Sequence, residues 1–153
     1  MQLSIIIDLD RICCGISAAS KKRALELLSE LLASGASDQV TSNAVFDRLI
    51  ARERLGSTGL GFGVAIPHGR ISRLDAPVGA FLSLESGVDF AAPDADRVDL
   101  VFGLLVPEES TDEHLQILSR LAELFNEAEL RSRLREASSA ETVLELFAAE
   151  DGS

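Results

Sequence analysis

The chain has 153 residues, 46% of them hydrophobic, and a formal net charge of −11. That length fits one domain over 1–153, with a core that hides roughly 70% of the surface of the unfolded chain and needs no disulfide or metal. The charge argues against nucleic acid and anionic membranes as partners, since both call for basic side chains against phosphate.

The amino-terminal stretch has no basic segment, and Asp8 and Asp10 interrupt the apolar run Ile5-Ile6-Ile7. A signal peptide is therefore not expected, and a cytoplasmic location is. Cys13 and Cys14 are adjacent, a spacing that suits neither a mutual disulfide nor a zinc site. They read as small apolar residues in a reducing compartment. Ser20 is an N-cap candidate for a helix carrying Leu25, Leu27, Leu28, Leu31 and Leu32, with Gly35 as its stop. A second helix is expected from Thr41 or Ser42, turning Val45, Phe46, Leu49 and Ile50 inward and fading near Leu55. The next eight residues, Gly56 to Gly63, contain four glycines and read as an irregular loop.

Val64 to Ile66 reads as a short strand ended by Pro67, and Val78 to Leu84 and Val98 to Val106 read as longer ones. The last is apolar almost throughout, as in a central strand covered on both faces. No run longer than Leu100 to Val106 is apolar, too short to cross a bilayer. Ser110-Thr-Asp-Glu113 has the form of a capping box opening a helix with Leu115, Ile117, Leu118, Leu121, Leu124 and Phe125 at its apolar positions. Two further helices are expected over 128–136 and 140–148. Helices on both sides of a sheet make an α/β fold, a three-layer α/β/α sandwich.

Several chemistries are excluded by motif. Gly59 and Gly61 lead to Val64 where a dinucleotide fingerprint needs a third glycine, and no Gly-Lys-Ser/Thr follows for a P-loop. There is no zinc-protease His pair and no nucleophile elbow. What remains is Ala65-Ile-Pro-His-Gly-Arg70. Pro67 extends Ile66, and Gly69 leaves room for the chain to turn away, so His68 is presented at a strand tip. A neutral imidazole there is a competent nucleophile near pH 7. The plain alternative is a histidine that only closes a strand. His114, in the first turns of the capped helix, shares a face with Ile117, Leu118 and Leu121, and a helix start favours a nearby anion. Arg52 can grip two phosphoryl oxygens with its guanidinium, with Arg54 and Arg70 as rivals for that role.

The segment Arg52 to Arg70, together with Ser20 to Leu25, Phe90 to Pro93, Leu100 to Pro107 and Glu113 to Leu118 in the same order, resembles the enzyme IIA components of the bacterial phosphotransferase system. The likeness is to the fructose/mannitol class and above all to its nitrogen-regulatory branch. It implies a mixed sheet of about five strands between helices. It implies a phosphotransferase whose phosphoryl acceptor is Nε2 of His68, with His114 and Arg52 as the other active-site residues. Backbone N–H groups of a loop containing Gly59, Gly61 and Gly63 would add donors. It implies no cofactor and no metal, because the donor is the phosphohistidine of an HPr-like carrier, called NPr in this branch. The regulated partners it implies are proteins such as potassium-transport regulators or sensor kinases. A sugar-specific IIA and a non-catalytic docking module are the alternatives. The acidic net charge suggests a docking face that meets basic residues on the carrier. Phe62 departs from the family pattern, which has a polar or small residue there.

Overall fold

The computed structural model describes residues 2–152. After a four-residue helix α1 (Leu3–Ile6) and a 3-10 turn at Leu9–Arg11, the elements run β1 (Ile12–Ile16), α2 (Lys21–Ser34), α3 (Ser42–Leu55), β2 (Gly59–Gly61), β3 (Val64–Ala65), β4 (His68–Ile71), β5 (Val78–Val88), β6 (Val98–Pro107), α4 (Asp112–Phe125), α5 (Ala128–Glu136) and α6 (Ala140–Asp151). One mixed sheet has the order β1-β5-β6-β3-β2, and β4 also pairs with β6. β5 and β6 are antiparallel, while β1 runs parallel to β5, and β3 and β4 run parallel to β6.

The sheet has six strands where the resemblance implied about five, and the extra one explains the site. The strand expected to end at Pro67 resumes at once. Ala65 faces Val101 and His68 faces Leu104, so the register along β6 is the same on both sides of the break. Within the break the Ile66 N–H leaves the sheet for the Thr58 carbonyl, and Pro67 has no N–H to give. His68 therefore opens a strand rather than closing one. Nor does the chain turn away at Gly69, which lies inside β4. A Cβ there would lie 3.2 Å from Cβ of Arg48, so the missing side chain lets α3 pack against the strand.

β6 is buried on both faces from Leu100 onward, which accounts for its apolar sequence there. Leu100, Phe102, Leu104 and Val106 enter a core shared with α1, α4, α5 and α6, where Phe81, Phe102, Phe125 and Phe147 pack edge to face at 5.5 to 6.2 Å. Val101 and Leu105 enter a second core with α2 and α3. These are the three layers expected from the helix and strand pattern. Gly103 faces α2 closely, since a Cβ there would lie 2.7 Å from the Leu28 side chain.

The caps follow sequence in part. The hydroxyls of Ser20 and Thr41 accept the N–H of Arg23 and Ala44 at 3.1 Å each, and the Ser139 hydroxyl caps α6. The capping box at Ser110 to Glu113 does not form. Thr111 has helical dihedrals (φ −107°, ψ −56°) instead of the extended ones that turn a hydroxyl onto the first turn, and its side chain caps nothing. The glycine-rich stretch also departs from expectation. Gly59 to Gly61 pairs antiparallel with β3 across an irregular register, and a tight hairpin follows in which Gly61, Phe62 and Gly63 all have positive φ. Phe62, at φ 57°, is held there by three groups. The Asp94 carboxylate accepts its N–H at 2.9 Å, Arg135 donates to its carbonyl, and the Arg131 guanidinium lies 4.3 Å from its ring centre. Phe62 thus packs locally at the hairpin tip while remaining 56% exposed. Cys13 and Cys14 are free thiols in β1. Among the described residues no helix is long and apolar enough to cross a membrane.

Candidate active site

The break between β3 and β4 puts the His68 ring beside the last turn of α3 and the first turn of α4. Its Nδ1 lies 2.8 Å from the Ile66 carbonyl two residues back. A carbonyl can only accept, so Nδ1 carries the hydrogen and Nε2 keeps its lone pair. Partial burial pulls the ring's pKa below the ordinary 6.5, the Ile66 hydrogen bond opposes that, and the nearby Arg52 charge lowers it further. His68 is thus a neutral imidazole at pH 7 with its nucleophilic nitrogen defined.

His114, third residue of α4, is edge-on to His68, with ring centres 5.2 Å apart and planes at 72°. It is buried, and among the described residues its Nε2 has no hydrogen-bond partner. Burial, then the neighbouring His68 and Arg70, push its pKa down to about 4. Two uncharged rings share one corner, where two imidazolium ions would repel.

An open hollow of about 410 Å³ lies over the pair, lined by Arg48, Arg52, Leu55, His68, Gly69, Arg70, His114, Leu115 and Leu118 among others. A second, of about 320 Å³, adjoins it past Arg52 and His68 toward Thr58 and Gly59. Arg52 borders both, and at rest its Nη1 donates to the Gly56 carbonyl at 2.7 Å. Of its two rivals, Arg70 borders the first hollow with the histidines, while Arg54 borders neither. Arg48 was missed in the sequence. Its signal was spacing, because Arg48 and Arg52 are four apart on α3 and share a face.

The glycine cradle does not converge on His68. Gly59 borders the second hollow, but its N–H donates to the Ser57 hydroxyl at 3.0 Å. Gly61 and Gly63 border neither hollow at the ring, and the Gly63 carbonyl accepts the N–H groups of Asp99 and Leu100. The chain's acidic balance is also not the local one: Arg48, Arg52 and Arg70 give the hollow around His68 a cationic rim. Among the described residues no group of three His, Cys, Asp or Glu side chains is placed to hold a metal ion.

A neutral imidazole with a fixed lone pair, an adjacent imidazole and a rim of guanidinium groups are together chemically able to hold a tetrahedral dianion. Residues 5–150 match the family described as phosphoenolpyruvate-dependent sugar phosphotransferase system, EIIA 2. The chain belongs to that family. Within it, the chain is similar to nitrogen regulatory proteins: that of Pseudomonas aeruginosa is 42% identical over 95% of this chain and 94% of its own length. That of Escherichia coli K12 is 39% identical over 100% and 93%. The crystal structure of nitrogen regulatory protein IIA-Ntr from Neisseria meningitidis superposes with a TM-score of 0.89 at 44% identity, covering 95% of this chain and 98% of that one.

Proposed function

We propose that the chain is a phosphocarrier with a regulatory output: it accepts a phosphoryl group on Nε2 of His68 from the phosphohistidine of an HPr-like carrier, NPr in the nitrogen branch. The observation that carries this reading is the hydrogen bond from His68 Nδ1 to the Ile66 carbonyl, which leaves Nε2 as the free lone pair beside the arginine-lined hollow. The donor's N–P bond breaks as the bond from phosphorus to His68 Nε2 forms; the donor ring, protonated on its other nitrogen, leaves as neutral imidazole, and the positive ring charge passes to phosphorylated His68. No proton has to move, since Nδ1 keeps its hydrogen. The transition state is loose, so positioning and charge neutralisation supply the catalysis. Arg52 leaves the Gly56 carbonyl for the equatorial oxygens, His114 donates an N–H, and Arg48 and Arg70 balance the dianion. The exposed Leu55, Leu60 and Leu115 beside the hollows give the carrier an apolar footing.

The phosphorylation state of His68 would then be read by regulated partners such as potassium-transport regulators or sensor kinases. The nitrogen regulatory relatives, at 42% and 39% identity, favour this output over transport. A relative named PTS system fructose-specific EIIA component, from Haloferax volcanii, is 36% identical. The test is incubation with enzyme I, carrier and phosphoenolpyruvate, followed by intact mass and site mapping. His68→Ala should take no phosphoryl group, and His114→Ala should still take some. An unlabelled wild type, with the system shown active on another acceptor, refutes the reading. Label that depends on His114 and not on His68 reverses the assignment.

A further inference from the structure

The only acidic side chain among the buried polar residues described is Glu53, and the phosphoryl chemistry above makes no use of it. It follows Arg52 on α3 but points the other way, under the site. Its Oε2 lies 2.7 Å from Nζ of Lys21, at the start of α2. The same carboxylate takes both donors of Thr58, the backbone N–H at 3.3 Å and the hydroxyl through a short hydrogen bond. The Thr58 carbonyl accepts the Ile66 N–H at 3.0 Å, and the Ile66 carbonyl accepts His68 Nδ1. The chain of contacts thus runs Lys21, Glu53, Thr58, Ile66, His68. Lys21 Nζ and the Ser57 hydroxyl also meet on the Phe90 carbonyl, which anchors the far end.

We propose that Lys21, Glu53 and Thr58 are positioning residues that hold Ile66 in place through its N–H, and so place the carbonyl on its other side that fixes the tautomer and direction of the His68 ring. This rests on the reading of His68 as phosphoryl acceptor. The physical need is plain. Ile66 lies in the break between β3 and β4, where the sheet no longer orients its peptide. Thr58 supplies the hydrogen bond that the sheet does not, and Thr58 follows a helix end at Gly56 (φ 153°), where the chain would otherwise be loose. A buried carboxylate that collects two donors from one residue and an ammonium from another helix holds that loop to both α2 and α3. If the carbonyl swings, the ring hydrogen can move to Nε2 and the nucleophile is lost.

The test uses the full chain as wild type, Thr58→Val, Thr58→Ser and Glu53→Gln. Nitrogen-15 NMR of labelled histidine reads the His68 tautomer. Single-turnover transfer from phosphorylated carrier reads the maximal rate and the half-saturating carrier concentration. Wild type and Thr58→Ser should hold the hydrogen on Nδ1. Thr58→Val and Glu53→Gln should show both tautomers and a maximal rate lower by roughly ten-fold, with half-saturation unchanged, because both side chains are buried. Thermal unfolding monitors each variant, and Lys21→Met replaces any that does not fold. An unchanged tautomer ratio in the variants overturns the proposal whatever the rate does. A changed ratio with an unchanged rate overturns its bearing on transfer. A wild type that takes no phosphoryl group, with tautomers responding as expected, refutes the acceptor reading and leaves the positioning chain standing.

Discussion

Replacing His114 by Leu should flatten the dependence of stability on pH. In the folded protein the His114 ring has a pKa pushed down to about 4, chiefly by burial, against 6.5 for an exposed imidazole. Between those values the unfolded chain binds a proton that the folded chain refuses, so stability is fully present above pH 6.5 and is lost as pH falls toward 4. The loss attributable to this ring is about 3 kcal/mol. His68 is lowered in the same direction and adds to it. Asp151 acts in a lower window. Partial burial pulls its carboxyl up, but hydrogen bonds from Ser4 and Leu3 bring it below 3.8, so its contribution disappears only under that value. The assay is urea unfolding of wild type and His114→Leu at half-unit steps from pH 7.5 to 4. The leucine variant should gain on wild type by about 2 to 3 kcal/mol across that range, whatever its offset at pH 7.5. A constant difference between the two proteins at every pH would show that the buried ring takes up its proton freely and would refute the electrostatic account of the site.

Gly103→Ala should destabilise by about 1 to 3 kcal/mol in denaturant unfolding, because the new methyl group meets the branched end of Leu28. In a Leu28→Ala background the same change should cost far less, and strict additivity would argue against the contact. Phe62→Gly should be nearly neutral in thermal unfolding, since the lost stacking under Arg131 is offset by release of a left-handed backbone worth on the order of 1 kcal/mol. Arg135→Ala should cost less in that background than in wild type, because glycine holds the hairpin tip without the guanidinium.

The helices and the two long strands were legible because they repeat. α2, α3, α5 and α6 carry regular apolar spacing with Ser or Thr at three of their starts, and β6 is apolar from Leu100 to its end. The elements that escaped are those too short for a period to show. α1 is four residues long, and β1 reads Ile-Cys-Cys-Gly-Ile with no alternation. β4 was hidden by Pro67 and Gly69, residues that ordinarily punctuate a strand and here interrupt it without shifting its register. At the site, His68 was legible from its flanking residues, whereas Arg48 needed the helix face and Glu53 needed the fold. Nothing local distinguishes a glutamate beneath a site from one in solvent, and its three partners come from residues 21 and 58. The acidic composition says nothing of the neighbourhood of His68, where Arg48, Arg52 and Arg70 gather, because charge is summed over a surface but acts over a few ångströms.

The group that orients the His68 ring is a main-chain carbonyl, and its neutrality has a consequence. An aspartate in that place would orient the ring equally well, but would titrate in acid, raise the basicity of the imidazole and set a full negative charge behind an incoming anion. An amide oxygen does not titrate and brings no full charge; its hydrogen bond raises the basicity of the ring only against the larger lowering by burial. Its grip on the ring is the same at pH 5 as at pH 9, and it adds no titrating charge of its own between the guanidinium groups in front and the Glu53 carboxylate beneath.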